Sequence, residues 1–294
     1  MILITTPTGQ IGHQVLAHAL ESEAAIRVVV RDRSRLPSRA HDRAEIIQGS
    51  IDDPQVVNDA FADADAVFWL VPPDPRAESV QEHIVKFVRP LCTALNNHNV
   101  GRVVAVSSLG RGVAKNAGQI SAIFAMDDLI ESTGVAYRSL QPPGFMENLL
   151  WQVEAIARQG SFFGPQSPER KNPTCTTRDI ASTAAELLLD NSWSGQDDAP
   201  LLGAEDLSPA DMAQIMSHTL HRPVRYQQIP PETYRATLTQ HGMTAAWAQG
   251  LVDMAAAADR GIYQATPRTP ESSTPTPFRQ WCEEVLQPAI QALH

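Results

Sequence analysis

The sequence predicts an α/β protein: a doubly wound parallel sheet joined to a smaller, mostly helical C-terminal lobe. Three observations predict it. Short, β-branched apolar runs without polar alternation recur through the first half, as expected of strands buried on both faces. Stretches with apolar residues at helical spacing separate them. The chain also opens on an apolar strand, Met1-Ile2-Leu3-Ile4, that runs into the turn Thr5-Thr6-Pro7-Thr8-Gly9-Gln10-Ile11-Gly12 and then a helix-like segment. Such a turn aims the free N–H groups of a helix N-terminus at a ligand above the strand ends and suits a pyrophosphate.

The elements follow in order. Ile26 to Val30 and Ala44 to Gln48 read as the second and third strands. Asp53-Pro54 starts a helix through Phe61, with proline at an early helical position where its missing N–H costs little. Ala66 to Val71 is a buried strand ended by Pro72-Pro73. Residues 78 to 96 carry Val80, Ile84, Phe87, Val88, Leu91 and Leu95 at helical spacing. Arg102 to Val106 is the next strand, Ile120 to Glu131 a helix in which Asp127 and Asp128 are expected to face solvent, and Val135 to Leu140 the sixth strand. Beyond it, Phe145 to Gln159 reads as helical and is broken at Gly160. Helix starts are expected at Thr177 and at Ser208-Pro209, an N-cap followed by proline. Four prolines within residues 266 to 277 mark an extended connection, and a final helix runs from Phe278 to about Leu293. These elements divide the chain into a dinucleotide-binding core, residues 1–144, and a lobe, residues 145–294, of which about 174–203 return to the first domain.

Composition narrows the function. A formal net charge of −10 and a pI near 5.3 argue against a nucleic-acid partner, which needs a basic face. Three widely spaced cysteines, Cys92, Cys175 and Cys282, suggest neither a disulfide framework nor a metal site. No apolar run reaches the length of a membrane span, and a core strand at position 1 leaves no room for a leader, so a cytoplasmic protein is expected.

The opening turn supplies candidate phosphate ligands. Gly9 lets the backbone approach a phosphate and Gly12 lets the helix pack closely on the strand, although Thr6 stands where the first glycine of such loops is usual. At the end of the second strand an acidic residue serves a ribose 2′-hydroxyl, whereas an arginine favours a 2′-phosphate. Here Arg31 holds that place, with Arg33 and Arg35 close behind, and NADP(H) is the expected cofactor; the neighbouring Asp32 keeps NAD(H) open.

At this point the motifs resemble a known family. Thr6 to Gly12, Val28-Val29-Val30-Arg31-Asp32, Gly49-Ser50-Ile51-Asp52-Asp53, Leu140-Gln141-Pro142-Pro143-Gly144-Phe145-Met146-Glu147-Asn148, Thr177-Arg178-Asp179-Ile180-Ala181 and Leu202 to Ser208 resemble, in order, the NmrA-like branch of the atypical short-chain dehydrogenases/reductases. That group holds NADPH-dependent quinone and triphenylmethane reductases and a redox sensor. The resemblance implies a Rossmann core. It implies cofactor contacts from Thr6, Thr8, Gly9, Gln10, Ile11 and Gly12 around the phosphates, from Arg31 and Arg35 near the 2′-phosphate, and from Ser50 and Ile51 at the adenine edge. It also places Val71, Pro72, Ser107 and Pro143 beside the cofactor, and Phe145, Asn148 and Trp151 around the substrate, with further aromatic groups from Phe162 and Phe163. A homodimer would be ordinary for such a protein.

Two departures shape the chemistry. Ser50 replaces the family's usual aspartate. No Tyr-x-x-x-Lys pair exists: four residues after Tyr137, Tyr226, Tyr234 and Tyr263 stand Gln141, Pro230, Leu238 and Pro267. The lysine of isoflavone reductase-like enzymes is matched by Ala125, and Lys115, one loop earlier, reads as a surface residue. Ser107 and Tyr137 are then the candidate proton donors. A quinone tolerates the lack of a dedicated acid, because its reduced product is a stabilised phenolate; orientation and apolar walls suffice. The expected function is therefore NADPH-dependent hydride transfer to a quinone or other conjugated aromatic acceptor. The alternatives are a non-catalytic NADP-binding sensor that engages a protein partner, and a tailoring reductase of an aromatic metabolite. No metal site is expected, and His218 and His221 read as a solvated pair.

Overall fold

The computed structural model describes residues 1–293. Its centre is a seven-stranded, wholly parallel sheet. The first six strands are β1 (Ile2–Ile4), β2 (Ile26–Val30), β3 (Ala44–Gln48), β4 (Ala66–Trp69), β5 (Arg102–Val106) and β6 (Ala136–Gln141). Between them run α1 (Gly12–Glu21), α2 (Ser38–Arg43), α3 (Pro54–Phe61), α4 (Val80–Asn97) and α5 (Gln119–Ser132).

After β6 come β7 (Gly144–Phe145), α6 (Val153–Gln159), β8 (Ser161–Gly164), β9 (Asn172–Cys175), α7 (Thr177–Leu189) and β10 (Gln196–Pro200). The sheet order is β3-β2-β1-β4-β5-β6-β10, so the chain reverses direction across the sheet between β1 and β4. Such a reversal opens a crevice at the carboxyl ends of the strands. β10 lies in register with β6, Gln196 opposite Tyr137 through Pro200 opposite Gln141, and α7 packs beside α1.

Alternation along each strand builds two apolar layers. Ile2, Ile4, Val28, Val30, Phe68, Val104 and Leu140 face α1 and α7, whereas Leu3, Val29, Val67, Trp69, Val103, Ala105 and Tyr137 face α3, α4 and α5. The helix starts are locally encoded. The Asp53 carboxylate accepts the Gln55 N–H at 2.9 Å with Pro54 at the first helical position, Ser79 caps α4 through the Glu82 N–H, and Thr176 caps α7 through the Asp179 N–H.

The rest of the second half forms the smaller lobe: β11 (Asp206–Leu207), α8 (Pro209–Thr219), β12 (Arg225–Gln228), α9 (Pro231–Gln240) and α10 (Ala245–Asp259). Small sheets β11-β9-β7 and β12-β8 hold it together, and its own core contains Met146, Ile156, Phe162, Met216, Phe278 and Trp281. No helix is long and apolar enough to cross a membrane among the described residues.

Two expectations need correction. The predicted helix over Phe145–Gln159 is instead a short strand, a 3-10 segment from Met146 to Gln152, and only then α6. The reason is tertiary: Gly144 and Phe145 pair with Thr174 and Cys175 of β9, which holds the backbone extended. The last helix is also not uniform, since α11 (Phe278–Trp281) passes through a π segment at Cys282–Leu286 into α12 (Gln287–Gln291).

Candidate functional site

The turn after β1 is shaped by the close approach of two backbones. A Cβ on Gly12 would lie 1.9 Å from the Thr6 carbonyl oxygen, so only glycine lets α1 begin against this turn. Gly9 donates its N–H to the same carbonyl at 3.1 Å, and the turn passes directly into the helix as His13 N–H reaches Gly9 O at 3.0 Å. The start of α1 has no side-chain cap and no acidic residue in its first turn, which leaves its positive end open to an anion. Thr6 Oγ1 is buried there without a hydrogen-bond partner among the described residues. These features fit a dinucleotide pyrophosphate at the mouth of the β1–α1 turn.

At the end of β2 the two candidate ribose ligands behave differently. Arg31, Arg33 and Arg35 are exposed. The Asp32 carboxylate caps the 3-10 turn Arg33–Arg35, accepting the Ser34 N–H at 3.0 Å and the Ser34 hydroxyl at 2.7 Å. Those two bonds hold the carboxyl below its usual range. Asp32 is thus engaged by its own turn, while the guanidinium groups reach solvent beside it. Gly49, Ser50 and Ile51 follow β3; Ser50 is half-buried, and the nearby Asp52 carboxylate pairs with Lys86.

On the other half of the sheet, Ser107 follows β5 and its N–H donates to Leu140 O at 2.8 Å. It is 7% exposed, and its hydroxyl donates inward to Asp127 Oδ2 on α5. Asp127 also accepts Tyr137 OH at 2.6 Å and Ser139 Oγ at 3.2 Å, both from β6. The sequence expectation for Asp127 is therefore corrected: it is 0% exposed, on the sheet-facing side of its helix. Burial raises its carboxyl to about 6 despite the three hydroxyls and nearby Arg111, which favour the charged form. Tyr137 is corrected too as a donor in contact with an acceptor. It is fully buried, its hydroxyl is bound to Asp127, and burial beside that carboxylate pushes it well above the usual tyrosine range. A residue with this signal stood in the sequence: Asp127 lies seven residues after Ile120 and three before Ile130, on the apolar face of the helix.

The remaining candidates differ in exposure. Val71 is buried and Pro72 half-buried after β4, where Pro72 O is held by the His83 ring at 2.7 Å. Pro143 is buried beside the β5 end, since Leu109 N–H bonds its neighbour Pro142. Phe145 is half-buried against the α1/α7 layer, Asn148 is exposed and Trp151 is 70% exposed. Phe162 belongs to the core of the lobe, with its ring 5.1 Å from that of Tyr226, so it is a packing residue there. Lys115 is exposed, as are His218 and His221, and no group of metal-binding side chains occurs among the described residues. The start of α10 is tied to the loop after β4 and to the start of α5: Thr244 donates to the Pro75 and Ala77 carbonyls, and Gln119 donates to Trp247 O.

One connection escaped the sequence reading. Gln14 of α1 donates to Gln10 O at 2.7 Å and to Thr177 Oγ1 at 3.1 Å, and Thr177 donates its hydroxyl and its N–H to buried Glu147. Burial raises the Glu147 carboxyl. The phosphate turn, the start of α7 and the first segment of the lobe are thereby joined by one hydrogen-bonded chain.

Comparison with known proteins fits this geometry. The profile of a family described as NAD(P)H-binding matches residues 7–191. An NAD(P)H azoreductase of Xenophilus azovorans is 26% identical over 286 residues, covering 96% of each chain. The NADPH complex of an NADPH-dependent quinone oxidoreductase from Escherichia coli superposes with a TM-score of 0.80 at 20% identity, covering 100% of this chain and 99% of that one. The NADP(H) complex of a Citrobacter triphenylmethane reductase also superposes at 0.80, at 17% identity and 100% coverage of both. These relatives fit the NmrA-like resemblance carried by the motifs. With a parallel sheet reversed between β1 and β4, an uncapped helix start above it and a family profile spanning more than half of its length, the chain belongs to the NAD(P)H-binding family.

Proposed function

We infer that this protein is an NADPH-dependent reductase that delivers hydride to a quinone or another conjugated aromatic acceptor without a Tyr-x-x-x-Lys pair. The observation that carries the reading is the likeness to an NAD(P)H azoreductase across 96% of both chains. The site supports it. Thr8, Gly9, Gln10 and Ile11 would hold the pyrophosphate at the uncapped start of α1, against Thr6 and Gly12. Arg31 and Arg35 would take the 2′-phosphate, since Asp32 is already engaged by Ser34. Ser50 and Ile51 would border the adenine, and Val71, Pro72, Ser107 and Pro143 the nicotinamide half. Phe145, Asn148 and Trp151 would border the acceptor, at the start of a substrate lobe of residues 145–294 from which about 174–203 return to the core of residues 1–144.

When bound, the reduced nicotinamide supplies the hydride. The protein then has to orient an aromatic ring, exclude bulk water and tolerate the charge left on the acceptor. Apolar Val71, Pro72 and Pro143 suit the first two tasks. Such an enzyme works on a small-molecule substrate, and this acidic chain suits a cytoplasmic protein, alone or as a homodimer.

The test is oxidation of NADPH and NADH, followed by absorbance against benzoquinones, naphthoquinones and an azo dye, with cofactor binding measured alongside. Turnover with NADPH that Arg31→Glu abolishes supports the reading. Tight NADPH binding with no acceptor reduced would refute it in favour of a sensor, and no nucleotide binding would refute the site itself.

A further inference from the structure

Asp127 is the most deeply buried carboxylate bordering the β5 end, and the reduction of a quinone does not require it. Three hydroxyls converge on it from two strands: Ser107 from the end of β5, and Tyr137 and Ser139 from β6. Of the three, only Ser107 stands at the carboxyl end of its strand, where the crevice opens, and it retains 7% exposure. Tyr137 and Ser139 are 0% exposed and see only Asp127 and the interior.

Hydrogen-bond direction gives this arrangement a consequence. An ionised carboxylate is acceptor-only, so the Ser107 proton must point inward and the hydroxyl offers only lone pairs to the crevice. A protonated Asp127 can donate to Ser107 Oγ, which frees the serine proton to point outward. We propose that Asp127 is a positioning residue that holds a proton behind Ser107 and, through that hydroxyl, hands it to the nascent anion of a reduced acceptor. This rests on the reductase reading above.

The step balances as follows. The acceptor gains two electrons and one hydrogen as the hydride of the dinucleotide, which is oxidised, and is left with an anionic nitrogen or oxygen. That atom forms a new bond to the Ser107 proton as the Oγ–H bond breaks. The Asp127 O–H bond breaks in turn and Oγ–H re-forms, leaving Asp127 as a carboxylate. Tyr137 and Ser139 donate to that carboxylate, which later regains its proton from solvent. The charged groups around it are few. Arg111, on the loop after β5, stabilises the carboxylate and is itself paired with Asp128 and Glu131 of α5, with Asp198 of β10 at 4.0 Å. Burial outweighs Arg111 and the hydroxyls and raises the carboxyl to about 6, so the proton is present in mildly acidic solution.

Acceptors differ in their need for this proton. A reduced quinone leaves a stabilised phenolate, whereas an azo group reduced by hydride leaves a far more basic nitrogen anion. The relay therefore fits azo-type acceptors better than quinones, and it gives the site a specificity that apolar walls alone do not.

The experiment has two arms. Infrared difference spectra of the cofactor-free protein are recorded across pH 5 to 8 for the wild type and Asp127→Asn. NADPH oxidation is then followed across the same range with an azo dye and with a naphthoquinone. Ser107→Ala, which leaves Asp127 with Tyr137 and Ser139, serves as a second variant. The expected result is a carboxylic-acid band in the wild type that fades as pH rises through about 6 and is missing in Asp127→Asn. Both variants are expected to lose on the order of 100-fold with the azo dye at pH 6, and Asp127→Asn, which leaves the crevice lining intact, to stay within about threefold with the quinone. The azo rate of the wild type should fall with pH while that of Asp127→Asn stays flat. A band that is absent, or retained in Asp127→Asn, overturns the proposal; so does an equal loss with both acceptors, which would mean a purely structural role. A wild type that shows the band but oxidises NADPH with neither acceptor refutes the reductase reading instead.

Discussion

The stability of the cofactor-free protein should depend on pH through Asp127, and Asp127→Asn isolates that dependence. The carboxyl rises from 3.8 to about 6 on folding, chiefly because it is removed from water. A raised acid is stabilised by folding while it is protonated. Its contribution is fully present below about pH 4 and is lost as pH climbs through about 6. At roughly 1.36 kcal/mol per pH unit, the difference amounts to about 3 kcal/mol between those limits. Asparagine can accept from Tyr137 and Ser139 through its oxygen and donate through its NH2 to Ser107 Oγ without ionising, so the variant lacks this change. Measured against the wild type, Asp127→Asn should therefore gain about 2.5 kcal/mol on going from pH 4 to pH 8, or roughly 4 °C in melting temperature. Urea denaturation at half-unit steps of pH provides the measurement. A stability difference between the two proteins that is the same at every pH would show that Asp127 ionises as an ordinary exposed carboxylate, and the burial argument would fail.

Other substitutions separate the parts of the site. Arg31→Glu should weaken NADPH at least about tenfold in a fluorescence titration, by loss of a charge-assisted contact, and leave NADH within about threefold. Gly12→Ala, which places a methyl group 1.9 Å from Thr6 O, should abolish binding of both nucleotides and lower the melting temperature. Glu147→Gln removes the charge that accepts two bonds from Thr177 and should cost about 1–3 kcal/mol in denaturation, because the Thr177 donors are buried. Trp151→Ala, at a side chain 70% exposed, should change stability by less than about 0.5 kcal/mol while raising the KM of the aromatic acceptor.

The phosphate turn was legible because its chemistry is local. Gly12 follows an apolar strand, and the close packing of helix on strand needs a residue without Cβ at that spacing. The parallel sheet was legible for a similar reason: runs such as Ile26–Val30 and Ala66–Trp69 carry no polar alternation, and only burial on both faces permits that. The segment after β6 misled because Gly144-Phe145 reads equally well as helix or strand until β9 arrives beside it. Glu147 lay within a recognisable motif, yet its partner Thr177 stands 30 residues away.

The strand and helix periodicities, the glycine that brings α1 against the turn after β1, and the arginines that follow β2 are written in the chain, since each depends on neighbours within a few residues. That Asp32 serves its own turn while Arg31 stays exposed emerges only once the chain is folded. The packed structure alone showed that Tyr137 is fully buried and that Ser107, Tyr137 and Ser139 converge on one buried carboxylate. Those outcomes depend on which face of a strand meets which helix, and burial, which sets the charge of Asp127, exists only once the two are packed together.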